Sequence, residues 1–222
     1  MFSISRISSD ALSEVPNLSN LILDENELTN GGIELGAFQH LPGLTRISLN
    51  RNRFTEFPLG FSSSIKQIFL TDNEISYMSH SAIGNLTNLE TVFVNRNKLR
   101  DASIEQDALS GLTSLRELEL SNNLFTHLPG KIAKSVEKIY LTSNQLEFIR
   151  TTELFGLSSL RTLDVAYNHL RAIEKGALDQ LESLLRLDLS GNNWSCDCHL
   201  KTVKMYLSQN PVHYGAREQV YK

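Results

Sequence analysis

Apolar residues in this chain recur in a fixed short phrase rather than in long helical stripes. The phrase is L-x-x-L-x-L-x-x-N-x-L, with other apolar residues standing in for Leu. It appears as LSNLILDENEL (18–28), LTRISLNRNRF (44–54), IKQIFLTDNEI (65–75) and LETVFVNRNKL (89–99), and again as LRELELSNNLF (115–125), VEKIYLTSNQL (136–146), LRTLDVAYNHL (160–170) and LLRLDLSGNNW (184–194). Alternate apolar positions such as Leu118 and Leu120 send side chains to one side of a short strand, and Glu119 between them faces the other way. The Asn that follows carries amide donors and a carbonyl acceptor that can satisfy backbone groups where the chain leaves the strand. Asn26, Asn52, Asn73, Asn97, Asn123, Asn144, Asn168 and Asn192 form that series. One coil of this kind cannot bury its own apolar face. Stacked coils share a continuous core and a parallel sheet, with one strand per coil.

The spacing of these Asn residues carries more. The steps are 26, 21, 24, 26, 21, 24 and 24 residues, so the triplet 26–21–24 occurs twice and Asn26, Asn97 and Asn168 stand 71 apart. The short steps hold FPLGFSSSIKQI (57–68) and LPGKIAKSVEKI (128–139), each with a Pro and no long apolar back. Longer steps carry segments such as HSAIGNLTNLETV (80–92) and KGALDQLESLLRL (175–187), whose extra apolar residues thicken the side away from the strands. The first residues fit the same frame. Ile4, Ile7, Leu12, Val15 and Leu18 space like Ile75, Met78, Ile83, Leu86 and Leu89, so the chain is expected to open inside a coil, with Phe2 where the Asn would stand. No cysteine-bearing cap precedes that coil, although terminal repeats normally need one.

Eight consecutive copies, each with its Asn, resemble the leucine-rich-repeat family over essentially the whole chain. One short coil alternating with two longer ones is similar to the rhythm of the small leucine-rich proteoglycans of extracellular matrix. The resemblance implies an α/β solenoid, a leucine-rich-repeat horseshoe with a concave parallel sheet and an irregular, 3-10 or helical convex side. It implies a solenoid over residues 1–191, about eight full repeats plus a partial first, followed over 192–222 by an incomplete cysteine-rich C-terminal cap.

Both cysteines, Cys196 and Cys198, lie in NNWSCDCHL (192–200). A bond between them would close a strained small ring. That leaves free thiols, metal ligands, or halves of disulfides whose partners lie beyond residue 222. As zinc ligands, Cys196, Cys198 and His199 fall short of the four a structural site uses, and the cysteines are spaced too closely. The stretch resembles the cysteine-rich C-terminal cap of extracellular leucine-rich repeats, N-P-W-x-C-x-C-x-L, with Asn193 in the place of Pro. The resemblance implies disulfides to two downstream cysteines, Trp194 covering the open end of the core, and a cap helix carrying Leu200, Val203, Met205, Tyr206 and Leu207. This form of cap is shared by less typical proteoglycans and many cell-surface receptors. Because disulfides persist in oxidising compartments, it also implies an extracellular location, whether secreted, matrix or cell surface. N-glycosylation sequons at Asn17, Asn85 and Asn193 add weak support.

Charge and hydropathy narrow the partners. A net charge of −4 provides no global basic field for nucleic acid, and none is expected. No apolar run approaches the roughly 20 residues of a bilayer-spanning helix. The opening MFSISRISSD does not read as a secretory signal. Membrane contact is expected only if a C-terminal segment beyond this chain spans the bilayer.

The outward strand positions form the default binding surface of a solenoid. With strands about 4.8 Å apart, eight of them span roughly 35 Å. Their central column reads Ile22, Ser48, Phe69, Phe93, Glu119, Tyr140, Asp164 and Asp188, and flanking columns add Arg46, Arg51, Arg96, Arg116, Arg161 and Arg186. Exposed Phe69 and Phe93 point to protein contact, the alternative being packing between neighbouring strands. The carboxylates and arginines suit a polar, steered protein ligand, the alternative being salt bridges within a solvated face. Asp164 and Asp188 could suggest glycoside hydrolysis, but on adjacent strands of an open face nothing excludes water or raises one pKa. No phosphate loop, nucleophile elbow or HExxH is present. The expected function is therefore non-enzymatic binding of an extracellular protein ligand, a matrix or cell-surface protein, with no cofactor or metal. Matrix organisation through the concave face leads; the ectodomain of a cell-surface receptor or adhesion protein is the alternative, and an intracellular repeat scaffold stands behind both.

Overall fold

The structure, a computed structural model, describes residues 3–39 and 41–194, and the backbone of 213–214. Each copy of the phrase forms one three-residue strand: β1 Asn20–Ile22, β2 Arg46–Ser48, β3 Gln67–Phe69, β4 Thr91–Phe93, β5 Glu117–Glu119, β6 Lys138–Tyr140, β8 Thr162–Asp164 and β10 Arg186–Asp188. They lie side by side in one parallel sheet in chain order, with β11 His213–Tyr214 paired to the outer side of β10. A second, two-stranded sheet pairs β7 Phe148–Ile149 with β9 Ala172–Ile173. The strands are short because the phrase is: after two inward apolar residues the Asn turns the chain away from the sheet.

Register is uniform from coil to coil. Leu21, Ile47, Ile68, Val92, Leu118, Ile139, Leu163 and Leu187 face one another along the inward column, and all but Leu21 are buried. One continuous core results, closed at the back by residues such as Leu41, Ile83, Leu109, Leu157 and Leu181. The far wall is mostly irregular. Among the described residues it holds one short helix, α1 (His80–Ile83), capped by the Ser79 hydroxyl, and two single 3-10 turns at Asn30–Gly32 and Asp101–Ser103. The expected horseshoe architecture thus carries little helix.

The Asn series stitches neighbouring coils together. Asn97 donates from Nδ2 to the carbonyls of Val94 in its own coil and Leu70 in the coil before, at 3.0 and 2.9 Å, while its Oδ1 accepts from the Ile75 amide at 2.8 Å. Asn52, Asn73, Asn123, Asn144 and Asn168 repeat this arrangement, and each is buried. Each side chain thus satisfies one buried amide outright and shares two carbonyls with the Asn residues of the neighbouring coils. At the first coil, Asn26 accepts from the amide of Ile4, and Ile7 bridges to Ile33. The opening residues therefore pack as the flank of a coil.

The residue before each Asn was not singled out by the phrase, yet its backbone repeats too. Glu25, Arg51, Asp72, Arg96, Asn122, Ser143 and Tyr167 all have φ between 53° and 57°, and Gly191 has φ 65°. Holding non-glycine residues in this region costs about 1 kcal/mol each, which the surrounding hydrogen bonds offset. At the last coil the position is Gly191, where a Cβ would lie 2.5 Å from the ring of exposed Tyr167 and force it to shift.

Candidate protein-binding face

The outward column follows from the register. Ile22, Ser48, Phe69, Phe93, Glu119, Tyr140, Asp164 and Asp188 are Cα partners across successive strands. Its two ends differ in chemistry.

In the first half, Phe69 and Phe93 pack edge to face with ring centroids 5.1 Å apart, and the Arg46 guanidinium carbon stands 4.4 Å over the Phe69 ring. Both rings are half-buried by this packing rather than exposed, as the sequence had suggested. Beside them runs a polar ladder, in which Asp24 accepts from the Ser48 hydroxyl and the Asn50 amide, and Asn50 in turn accepts from the Thr71 amide. Rings and ladder wall a recess of about 330 Å³ whose rim carries Glu25, Arg51 and Asp72.

In the second half the column is acidic. Asp164 accepts from the Thr142 hydroxyl and Asp188 from the Ser190 hydroxyl, both at 2.7 Å, and Arg186 reaches Asp188 at 3.5 Å and Asp164 at 4.0 Å. Glu119 accepts the Ser121 amide at 2.8 Å and, among the described residues, makes no ion pair. Burial pushes its carboxyl above the usual range, with Asp164 and Glu117 adding like-charge repulsion. Tyr140, half-buried next to it, is likewise pushed up by burial and by Glu117.

The flanking arginines are engaged within the face. Arg116 and Arg161 bracket Glu137 at 2.6 and 3.6 Å, at the edge of an open groove of about 460 Å³ with Ser114, Ser135, Ser159 and Ser183 along it. Arg51 and Arg96 both approach Asp72 at 3.7 Å, and Arg51 also pairs with Glu25. A further ladder that sequence reading missed runs one position past the Asn, where Arg53 meets Glu27 at 2.9 Å and Lys98 meets Glu74 at 2.6 Å. Opposite charges at matching repeat phase were the signal for it.

Asn17, Asn85 and Asn193 are exposed, and none lies on the outward strand column. Trp194 packs against the core and donates its indole N–H to the Leu189 carbonyl at 3.2 Å. Cys196, Cys198 and His199 lie outside the described residues, as does the expected cap helix. Among the described residues no three metal-ligating side chains gather, and no helix is long and apolar enough to cross a membrane. Asp164 and Asp188, considered as a carboxylate pair, share Arg186.

Residues 63–125 and 134–193 match the family model for the leucine rich repeat. The chain belongs to the leucine-rich-repeat family. Within it, the "Leucine-rich repeat transmembrane protein FLRT2" of Mus musculus is 32% identical over 215 residues, covering 96% of this chain and 33% of that protein. Podocan of Mus musculus, a small leucine-rich proteoglycan, is 30% identical over 194 residues, 86% of this chain and 32% of podocan. The chain thus spans about a third of the length of these relatives. Among solved structures, a chain of the octameric complex of Latrophilin 3, Unc5D and FLRT2 superposes with a TM-score of 0.93 at 32% identity, over 97% of this leucine-rich-repeat chain and 66% of that one. None of these relatives carries an enzyme's name.

Proposed function

We propose that this leucine-rich-repeat chain is a non-enzymatic extracellular protein-binding module whose outward sheet face receives a protein ligand. The observation that carries the reading is the in-register column from Phe69 to Asp188, which places on one open face two half-buried rings and a half-buried carboxylate that makes no ion pair among the described residues. Aromatic rings within a charged surround are the composition of interface cores and rims. Similarity over 97% of the chain to a member of a solved protein–protein assembly supports it. Residues 1–191 act as the solenoid, and 192–222, with Trp194, as part of a cysteine-rich C-terminal cap.

In the first setting the module organises matrix, as its likeness to podocan and its repeat rhythm support. In the second it is the ectodomain of a cell-surface adhesion protein, a reading favoured by the likeness to FLRT2 over 96% of the chain. A membrane-spanning segment encoded downstream of residue 222 would decide for the second.

The experiment is affinity capture from matrix and from membrane extracts with the wild-type chain and the Phe69→Ala/Phe93→Ala double variant, each ligand then being identified and rebound in purified form. The double variant is expected to lose at least about tenfold in affinity for the purified ligand. Undiminished binding would remove the sheet face as the site.

A further inference from the structure

The 71-residue duplication sets up an internal comparison at the centre of the sheet face. Arg46 and Phe69 in the first unit correspond to Glu117 and Tyr140 in the second, and Ser48 corresponds to Glu119. In the first unit the ring is served from within: the Arg46 guanidinium sits 4.4 Å over Phe69 and hydrogen-bonds Gln67 at 3.2 Å. In the second unit the same strand positions carry a ring and two carboxylates, and the guanidinium is gone.

The nearby cations are engaged elsewhere. Arg116 and Arg161 hold Glu137, and Arg186 lies between Asp164 and Asp188. Lys138 reaches Glu117 only at 3.6 Å. Glu119 has the Ser121 amide and, among the described residues, no cation. A half-buried carboxylate beside a half-buried ring is costly to leave without a countercharge, and a planar cation satisfies both at once, through its N–H donors and its stacking face.

We propose that Tyr140, opposite Glu119 on the neighbouring strand and diagonal to Glu117, forms with their carboxylates a socket for an arginine side chain presented by the protein ligand. The proposal rests on the sheet face being the binding face, and it specifies what the centre of that face recognises. The guanidinium stacks on the Tyr140 ring as Arg46 does on Phe69, donates to Glu119, and competes only with Lys138 for Glu117. Arginine is favoured over lysine because its rigid planar fork both stacks and donates bidentately, whereas an ammonium is a compact, strongly hydrated point charge.

The test is a titration of the whole 222-residue chain, with its tyrosine rings isotopically labelled, against N-acetyl-arginine amide and its neutral isostere N-acetyl-citrulline amide. The expected result is a saturable shift of the Tyr140 ring signals in the millimolar range with the arginine compound, and none with citrulline. Glu119→Gln is expected to weaken that binding at least about fivefold, with Glu117→Gln as the second variant should the first fold poorly, while Glu27→Gln leaves it unchanged. A flat titration, an equal response to citrulline, or full binding in Glu119→Gln would overturn the socket. Those outcomes leave the binding role of the face standing, since that depends on the Phe69/Phe93 variant and the purified ligand.

Discussion

The two 71-residue units, 26–96 and 97–167, share a frame and differ in what they present. Phe54 donates its amide to Asn73 at 3.2 Å, and its counterpart Phe125 donates to Asn144 at 3.1 Å. At the 3-10 turns, Asn30 accepts from the amides of Thr55 and Glu56, while Asp101 in the matching place accepts from Thr126 and His127. Positive φ recurs at Gly36 and Asp107, and at Gly60 and Lys131. In the second unit Lys131 and Asp107 have become an ion pair at 2.9 Å, where the first unit keeps two glycines beside exposed Leu35 and Leu59. On the sheet face the units part at named places: Arg46, Ser48 and Phe69 stand where the second unit has Glu117, Glu119 and Tyr140, while Thr91 and Thr162 match. Positions that satisfy the backbone or fill the core were held to one solution, whereas outward positions were free to change sign. A binding face can therefore be rewritten in a solenoid without altering what holds it up.

The largest expected effect tests the shared half of that statement. Asn73→Ala and Asn144→Ala each strand a buried amide, of Phe54 or Phe125, and take one of two donors from each of two carbonyls, so each should lose about 2 kcal/mol or more of stability. The two losses should agree within about 1 kcal/mol despite the different faces above them. Urea unfolding of the three chains measures this. A cheap loss in one unit and a costly one in the other would break the claim of a common frame.

A smaller effect tests the divergent half. Phe69 is held by the Phe93 edge and the Arg46 guanidinium, whereas Tyr140 has carboxylate neighbours. Phe69→Ala should therefore cost about 2 kcal/mol and Tyr140→Ala about half of that, read by the same unfolding curves. Equal costs would mean that the ring cluster adds nothing to stability beyond the area it covers.

How much of this could be read in the sequence depends on what enforced each feature. The coils, the inward column and the order of the outward column were legible, because a period-2 strand phrase anchored by one Asn leaves no other register. The rhythm of one short and two long steps located the duplication. The left-handed residue before each Asn was not legible: Glu25, Arg51, Asp72 and Tyr167 carry none of the usual glycine signal, and the backbone enforces the conformation through its neighbours. Nor was the pairing of the arginines, because a two-way choice between ligand contact and internal salt bridge turns on side-chain reach. Arg116 and Arg161 share Glu137, and only coordinates show that Glu119 is passed over.

That isolated glutamate yields the smallest prediction and the sharpest distinction between the units. Burial, with help from Asp164 and Glu117, raises the Glu119 carboxyl above its ordinary value in the folded chain. In the window just above that ordinary value, the folded state holds a proton that the unfolded state has released. The unfolded state then binds fewer protons, and stability falls as pH rises through the folded pKa. The penalty should be absent well below the ordinary glutamate range and fully present once the pH has passed the raised folded value, and Glu119→Gln should remove it. Relative to wild type, the variant should gain stability as the pH is raised across that range. Ser48→Gln, the same change at the first unit's matching position, removes no carboxyl and should show no such slope. Unfolding free energies of the three chains at both ends of the range decide the matter, and a flat difference for Glu119→Gln would mean that water screens this carboxylate as well as any on the rim.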